Sequence, residues 1–359
     1  MSNNYASANG APLPRTFAQE VIDSLPGLFL VIAVAVGAHQ AAPMLKNYEF
    51  FQKYLTLKDF ILAIIVGIAI RNTVGVPQIM RPGLRFSTIL TKTGIVVMGA
   101  KYSLAGLVTV GGQALGMIFF FLFMSAIVLM WVGKKVNMPT SLTACLAAGL
   151  SVCGVSATIA VAPAVNAKKE EMAYSIAVVL MFGLLALIVF PPLGQLLNLS
   201  DAQYGAFSGV GIINSAQVLA AGFGFSDEAG IIAGVYNIGR VIFLPFIVLM
   251  LTLMACQRES SLSCEPVNKK QIILSKFPVF VLGFLAVVMM NTMGMLSDPA
   301  VKTAKGFMEW AFLLGFASIG LTTRLSDLKA AGVSGFVVGF TVASLKAGLA
   351  LLAVLYFIN

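Results

Sequence analysis

The chain has 359 residues, of which 59% are hydrophobic and only 10% charged. Such a composition leaves too little polar surface for a water-soluble globule and makes lipid the main solvent. The formal charge of +9 is spread in short basic groups between apolar runs rather than along one stripe, which argues against a nucleic-acid partner and for a role in setting topology.

The stretch from Met1 to Ser24 is polar and contains proline. It lacks the basic start and small-residue cleavage site of a secretory signal, so it is expected to be an uncleaved cytosolic tail. After it come apolar runs that fit membrane helices, each needing roughly 20 residues to cross the hydrocarbon core. In order they are Leu25–Met44, Leu57–Ile70, Thr88–Val110, Ala114–Val132, Leu142–Val165, Met172–Leu197, Ala206–Phe223, Ala229–Ala255, Phe277–Met293, Met308–Leu325 and Gly332–Ile358. Unbroken apolar runs exclude a β-barrel, whose strands would alternate. The expected fold class is an all-α polytopic membrane protein with about 10–11 membrane segments.

Placing the N-terminus inside puts Arg71, Arg81 and Arg85 in one cytosolic loop and Arg258, Lys269, Lys270 and Lys276 in another. Keeping Lys134, Lys135, Lys168 and Lys169 on that side makes Leu142–Val165 a re-entrant hairpin, with its turn near Gly149–Ser156. Ala206–Phe223 is expected to enter and leave from the other side.

An internal repeat is visible. Gly94, Gly99, Leu104, Leu107 and Gly111 recur with the same spacing as Gly315, Gly320, Leu325, Leu328 and Gly332. Ahead of the copies stand Asn72-Thr-Val-Gly75 and Asn291-Thr-Met-Gly294. An odd number of crossings between the copies would invert one against the other, the design by which many secondary transporters alternate access to a midplane site. The halves are expected at about 25–197 and 205–359.

Two segments carry the chemistry expected of such a site. In the first, Ser151, Cys153, Gly154, Ser156 and Thr158 combine a helix-breaking glycine with hydroxyls, and freed N–H groups there would hydrogen-bond an anion. In the second, Asn214, Ser215 and Gln217 place amides in an apolar run. For both, the bland alternative is helix packing, because small and polar residues also pair membrane helices. Further on, Asn237 and Arg240 lie inside a predicted span with no carboxylate near its middle, so a bound anion is the expected partner, against snorkelling or carbonyl contacts. Lys101 and Arg324 precede the repeat leucines, and Lys346 sits in the last span; reaching the interface is one reading of these three, and the preferred one for Lys101. His39 reads as interfacial, and Glu170 with Glu171 as a solvated loop face.

Cys145, Cys153, Cys256 and Cys264 show no metal spacing, so no metal, cofactor or disulfide framework is expected. An intramembrane protease lacks a credible acid/base set, because the chain has one histidine, no HExxH and no pair of membrane aspartates. The missing midplane carboxylates also favour anion or neutral-solute transport over cation exchange.

With Gly67-Ile-Ala-Ile-Arg-Asn72, Arg81-Pro-Gly83, Gly94-Ile-Val-Val-Met-Gly99, Leu150-Ser-Val-Cys-Gly-Val-Ser-Ala157, Gln217-Val-Leu-Ala-Ala-Gly222, Arg240 and Pro245, the chain resembles the YeiH-type bacterial inner-membrane proteins, a sulfate-exporter family. The resemblance runs from about Leu57 to the C-terminus. It implies a transporter of five-plus-five inverted repeats with discontinuous helices crossing at the centre, and a sulfur oxoanion such as sulfate or sulfite as solute. Ile213 and Asn214 stand where such relatives carry His-Glu, and Asn237 where a lysine is common, which puts proton coupling in question.

The expected function is alternating-access transport of a small anion or polar solute by a bacterial inner-membrane protein, assembled as a homodimer in the lipid bilayer. The coupling ion is left between H+ and Na+. The alternatives are a Na+-coupled organic-anion symporter and a non-transport membrane sensor or scaffold.

Overall fold

Lipid offers no hydrogen-bond partners, so a chain this apolar must satisfy its backbone within helices. The structure, a computed structural model, describes residues 17–45, 59–84, 86–258, 277–324 and 333–358, and every regular element among them is helical. The helices are α1 (Phe17–Leu45), α2 (Asp59–Thr73), α3 (Ser87–Met98), α4 (Leu104–Lys135), α5 (Thr140–Ser151), α6 (Val155–Val161) and α7 (Lys169–Leu196). They continue with α8 (Asp201–Gly211), α9 (Ser215–Phe225), α10 (Asp227–Ile242), α11 (Leu244–Arg258), α12 (Val279–Thr292), α13 (Asp298–Thr322) and α14 (Val333–Phe357). Arg85, Cys264, Lys269, Lys270, Lys276, Leu325, Leu328 and Gly332 lie outside the described residues.

Several expected boundaries move. Helix α1 begins at Phe17, inside the expected polar tail. The runs Thr88–Val110 and Ala114–Val132 are re-divided: α3 stops at Met98, a 3-10 turn covers Gly99–Lys101, and α4 runs unbroken from Leu104 to Lys135. Gly111 and Gly112, between the two expected runs, lie inside α4, since a helix in lipid that opened there would leave carbonyls and N–H groups unpaired. Leu142–Val165 is split at Val152–Gly154, and Ala206–Phe223 at Ile212–Asn214. Because of such splits, only four helices among the described residues are long and apolar enough to cross a membrane alone, or five if α10 and α11, bent by 44°, count as one span.

The helices pack in two groups. In the first, α1, α2, α3, α12 and α13 meet through glycines. A Cβ on Gly67 of α2 would lie 2.8 Å from Leu321 N of α13, and one on Gly99 would lie 2.7 Å from Phe284 O of α12. Gly94 faces the Phe312 ring at a similarly short range. In the second group α4, α5, α7, α8, α9, α10 and α14 surround the breaks, with Gly222 of α9 lying within 2.9 Å of Gly230 Cα of α10 by the same measure. Helix α9 touches both groups through α2 and α13. At an exposed edge Lys305 of α13 is paired with Asp227 of α10 at 2.7 Å.

The two Asn-Thr-x-Gly tetrapeptides hold the repeat copies reciprocally. Asn72 Nδ2 donates to Thr323 O at 3.0 Å, just past the end of α13. Asn291 Nδ2 donates to Tyr102 O, also at 3.0 Å, just past the turn that ends α3. Each acceptor stands three residues after a repeat glycine, Gly320 and Gly99 respectively. The closing glycines, Gly75 and Gly294, have φ of 80° and 70°, a region in which a Cβ is strained.

These contacts rank two substitutions. Gly320→Ala drives a methyl into the Ile64 carbonyl of α2 and is expected to cost about 1–3 kcal/mol. Asn72→Ala removes the exposed hydrogen bonds to Ile68 O and Thr323 O and is expected to cost about 1 kcal/mol. Thermal unfolding of the detergent-solubilised proteins should therefore give melting temperatures in the order wild type, Asn72→Ala, Gly320→Ala.

Candidate functional site

The site begins with two interrupted helices. Helix α5 ends at Ser151, and Gly154, at φ 77° and ψ −120°, turns the chain into α6. That conformation is open to glycine and costly for other residues. Helix α8 ends at Gly211, the chain extends through Ile212, and Asn214 caps α9 by accepting a hydrogen bond from Ala216 N at 3.0 Å. The two breaks meet: a Cβ on Gly154 would lie 3.2 Å from both Cα and Cβ of Asn214.

A cavity of about 890 Å³ opens on the breaks. From the second helix group it is lined by Cys153, Val155, Ser156, Asn214, Ser215 and Ala216, and from the first by Thr91, Lys92, Thr322, Thr323 and Arg324. Ile159, Ile176, Leu180, Met181, Leu184 and Phe280 supply an apolar wall. Ser156 is exposed to this space and Ser215 partly so. The start of α9 points into it, and Lys92 and Arg324 add two cations at its edge, so donors and positive potential dominate its polar side.

The ten residues expected at the site divide by helical phase. Cys153, Ser156, Asn214 and Ser215 line the cavity, and Gly154 forms the turn between them. The other five are engaged in packing. Ser151 accepts from Ser125 Oγ at 3.0 Å. Thr158 Oγ1 donates to Gly154 O at 3.2 Å and Cys145 O at 3.3 Å, closing the turn from below. Gln217 Nε2 donates to Leu180 O of α7 at 3.1 Å, with its amide laid over Gly183. Arg240 Nη1 donates to Ile212 O at 2.6 Å and Nη2 to Asn237 Oδ1 at 3.3 Å. Arg240 is thus 1% exposed and caps the carbonyl end of α8. Its partner is the carbonyl that the sequence had offered as the lesser alternative to an anion.

Three cations stand at the breaks or the cavity that the sequence had not placed there. Lys346 of α14 is buried, not interfacial: its Nζ donates to Leu150 O at 3.2 Å and Ser151 O at 3.4 Å, the carbonyl end of α5. Lys92 and Arg324 come to the cavity from segments beside the repeat residues Gly94 and Leu325, where sequence alone assigned them no part in a site. A lone cation in an apolar run was the available signal for Lys346, but its partners lie in another helix far back in the chain. Glu171, expected in a solvated face, accepts from Ser141 Oγ at 2.8 Å and from Lys168 N at 2.9 Å, fixing the start of α7. His39 is exposed and lies 2.9 Å from Asp59. Among the described residues no group of His, Cys, Asp and Glu is placed to hold a metal ion.

Fold and site together define a multi-pass, all-α membrane protein built around two broken helices. Residues 26–339 match the family model described as Conserved hypothetical protein 698. A UPF0324 membrane protein of Nitratidesulfovibrio vulgaris is 68% identical over the full length of both chains. A second from that organism is 34% identical, covering 95% of this chain and 97% of its own. One from Agrobacterium fabrum is 29% identical, covering 93% and 91%. The chain belongs to the UPF0324 membrane-protein family and is a multi-pass protein of the bacterial inner membrane.

That assignment overturns the resemblance to YeiH-type sulfate exporters. The matching family and relatives are described without any solute. The residues that carried the resemblance are largely packing residues: Gly67, Gly94 and Gly99 sit at helix contacts, and Arg240 caps a helix end. They report how the helices fit and say nothing specific about sulfate.

The Arg240 geometry predicts a stability effect. Arg240→Leu leaves Ile212 O buried without its donor, at a cost of about 1–3 kcal/mol. Its melting temperature should fall below that of the wild type, and Arg240→Lys should recover part of the loss.

Proposed function

We propose that this chain is a secondary transporter that carries an anionic solute by alternating access, with the solute held in the cavity between the two helix breaks, the middle of α3 and the end of α13. The observation that carries the reading is the meeting of Gly154 and Asn214 at the wall of one cavity. Interrupting two buried helices at the same place is costly in lipid, and discontinuous helices in transporters serve to present main-chain groups to a solute. The reciprocal Asn72–Thr323 and Asn291–Tyr102 hydrogen bonds support an inverted-repeat architecture for the chain.

The polar side of the cavity favours an anion. It combines the hydroxyls of Ser156 and Ser215, the start of α9, and the cations Lys92 and Arg324, with no carboxylate among the described residues that line it. Its size lies within the range of about 300–1,000 Å³ typical of sites for small organic molecules. The apolar wall from Ile159 to Phe280 gives such a molecule's body a place to rest, so an organic anion with a partly apolar body suits the site better than a bare oxoanion.

The test is uptake and efflux of radiolabelled anions by proteoliposomes, using mono- and dicarboxylates and organic sulfonates, with sulfate and sulfite alongside. Flux of at least one organic anion is expected in the wild type. Ser156→Ala and Arg324→Ala should each lower it roughly tenfold or more, because each removes a donor worth about 1–3 kcal/mol. Folded wild-type protein that moves no anion under any imposed gradient would refute the reading.

A further inference from the structure

The two carbonyl ends created by the helix breaks are both closed by buried cations. At the first, Val152 N donates to Ala148 O and Gly154 N to Gly149 O, so the helix turns back on itself and leaves Leu150 O and Ser151 O beyond those donors. The Lys346 ammonium, 1% exposed, reaches both of these oxygens. At the second, Ile212 N donates to Ser208 O, and Arg240 supplies the donor to Ile212 O. Among the described residues neither cation is held by a carboxylate; the partners are carbonyls and one amide oxygen.

A buried ammonium without a counter-ion is expensive in a membrane interior. Helix C-termini carry partial negative charge, and the unwound carbonyls of discontinuous helices are where transporters coordinate sodium. The oxygens around the end of α5 form such a set: Leu150 O, Ser151 O, and the hydroxyl of Ser151, which is hydrogen-bonded to Ser125.

We propose that the Lys346 ammonium is a tethered cation filling the position at the end of α5 that an alkali cation would otherwise occupy. The protein therefore needs no sodium at this break, and removing the ammonium uncovers a site for a monovalent cation. The proposal rests on the transporter reading only for its consequence, that solute movement is not coupled to sodium through the α5 break. The cation site itself is tested without any flux.

Purified wild type and Lys346→Ala are unfolded thermally in NaCl, LiCl and choline chloride at equal ionic strength. The wild type is expected to melt at the same temperature in all three. Lys346→Ala is expected to melt lower in choline and to rise by several degrees, saturably, with sodium or lithium, because a ligand of the folded state stabilises by mass action. Added to Lys346→Ala, the substitution Ser125→Ala should weaken the sodium response. A saturable sodium response in the wild type would overturn the proposal, as would a folded Lys346→Ala indifferent to the cation. If Lys346→Ala is recovered as monodisperse protein only when extracted in sodium, the proposal is supported; failure in both salts would make the ammonium purely structural and overturn it. Because melting needs no solute, a negative result here leaves the transporter reading standing, and absent flux leaves the cation result standing.

Discussion

A helix stopped inside a membrane leaves carbonyls that neither lipid nor water can satisfy. Helices α5 and α8 stop in this way, and each is completed from elsewhere in the chain, α5 by Lys346 of α14 and α8 by Arg240 of α10. The remaining geometry depends on these closures. They permit Gly154 and Asn214 to approach, which leaves the N-terminal sides of α6 and α9 free to border a cavity instead of burying themselves in a neighbour. The cations therefore act behind the site: they neutralise the carbonyl ends, while Lys92 and Arg324 are the charges the cavity itself presents.

The division of the helices into two packed groups gives the proposed cycle a mechanical basis. One group holds both breaks. The other contributes the middle of α3 and the end of α13, and the cavity lies along the seam between them. Within the first-described group the contacts are glycine to backbone and glycine to ring, as at Gly67, Gly94 and Gly99, and such contacts resist sliding because no flexible side chain separates the helices. Across the seam the contacts are mostly made by side chains: Phe223 of α9 against Phe60 and Phe312, Met98 of α3 against Gly234 of α10, the Tyr102 hydroxyl on Ile231 O, Leu104 N on Thr292 Oγ1, and the exposed Lys305–Asp227 pair. Relative movement of two stiff groups is a cheaper route to alternating access than deformation within either.

Much of this could be read from the chain. Gly154 and Asn214 announced the breaks because a left-handed turn and a helix N-cap are local events with local residue preferences. The Asn-Thr-x-Gly pairs announced a repeat because their role is repeated. Helical phase was harder: Ser151 and Ser156 look alike in sequence, yet one faces Ser125 and the other the cavity. Partners distant in the chain were invisible, so the carbonyls that Lys346 and Arg240 meet could not be named from the sequence. The family resemblance failed because the glycines behind it encode helix contact and not a solute.

The central claim is that the two breaks face one cavity that opens to each side of the membrane in turn. The direct measurement is labelling of Ser156→Cys, in a chain whose four native cysteines are replaced, by a membrane-impermeant maleimide applied separately to right-side-out and inverted vesicles. The account predicts modification from both sides, with each rate reduced by a transported anion. Modification from one side alone, unchanged by any anion or gradient, would contradict it.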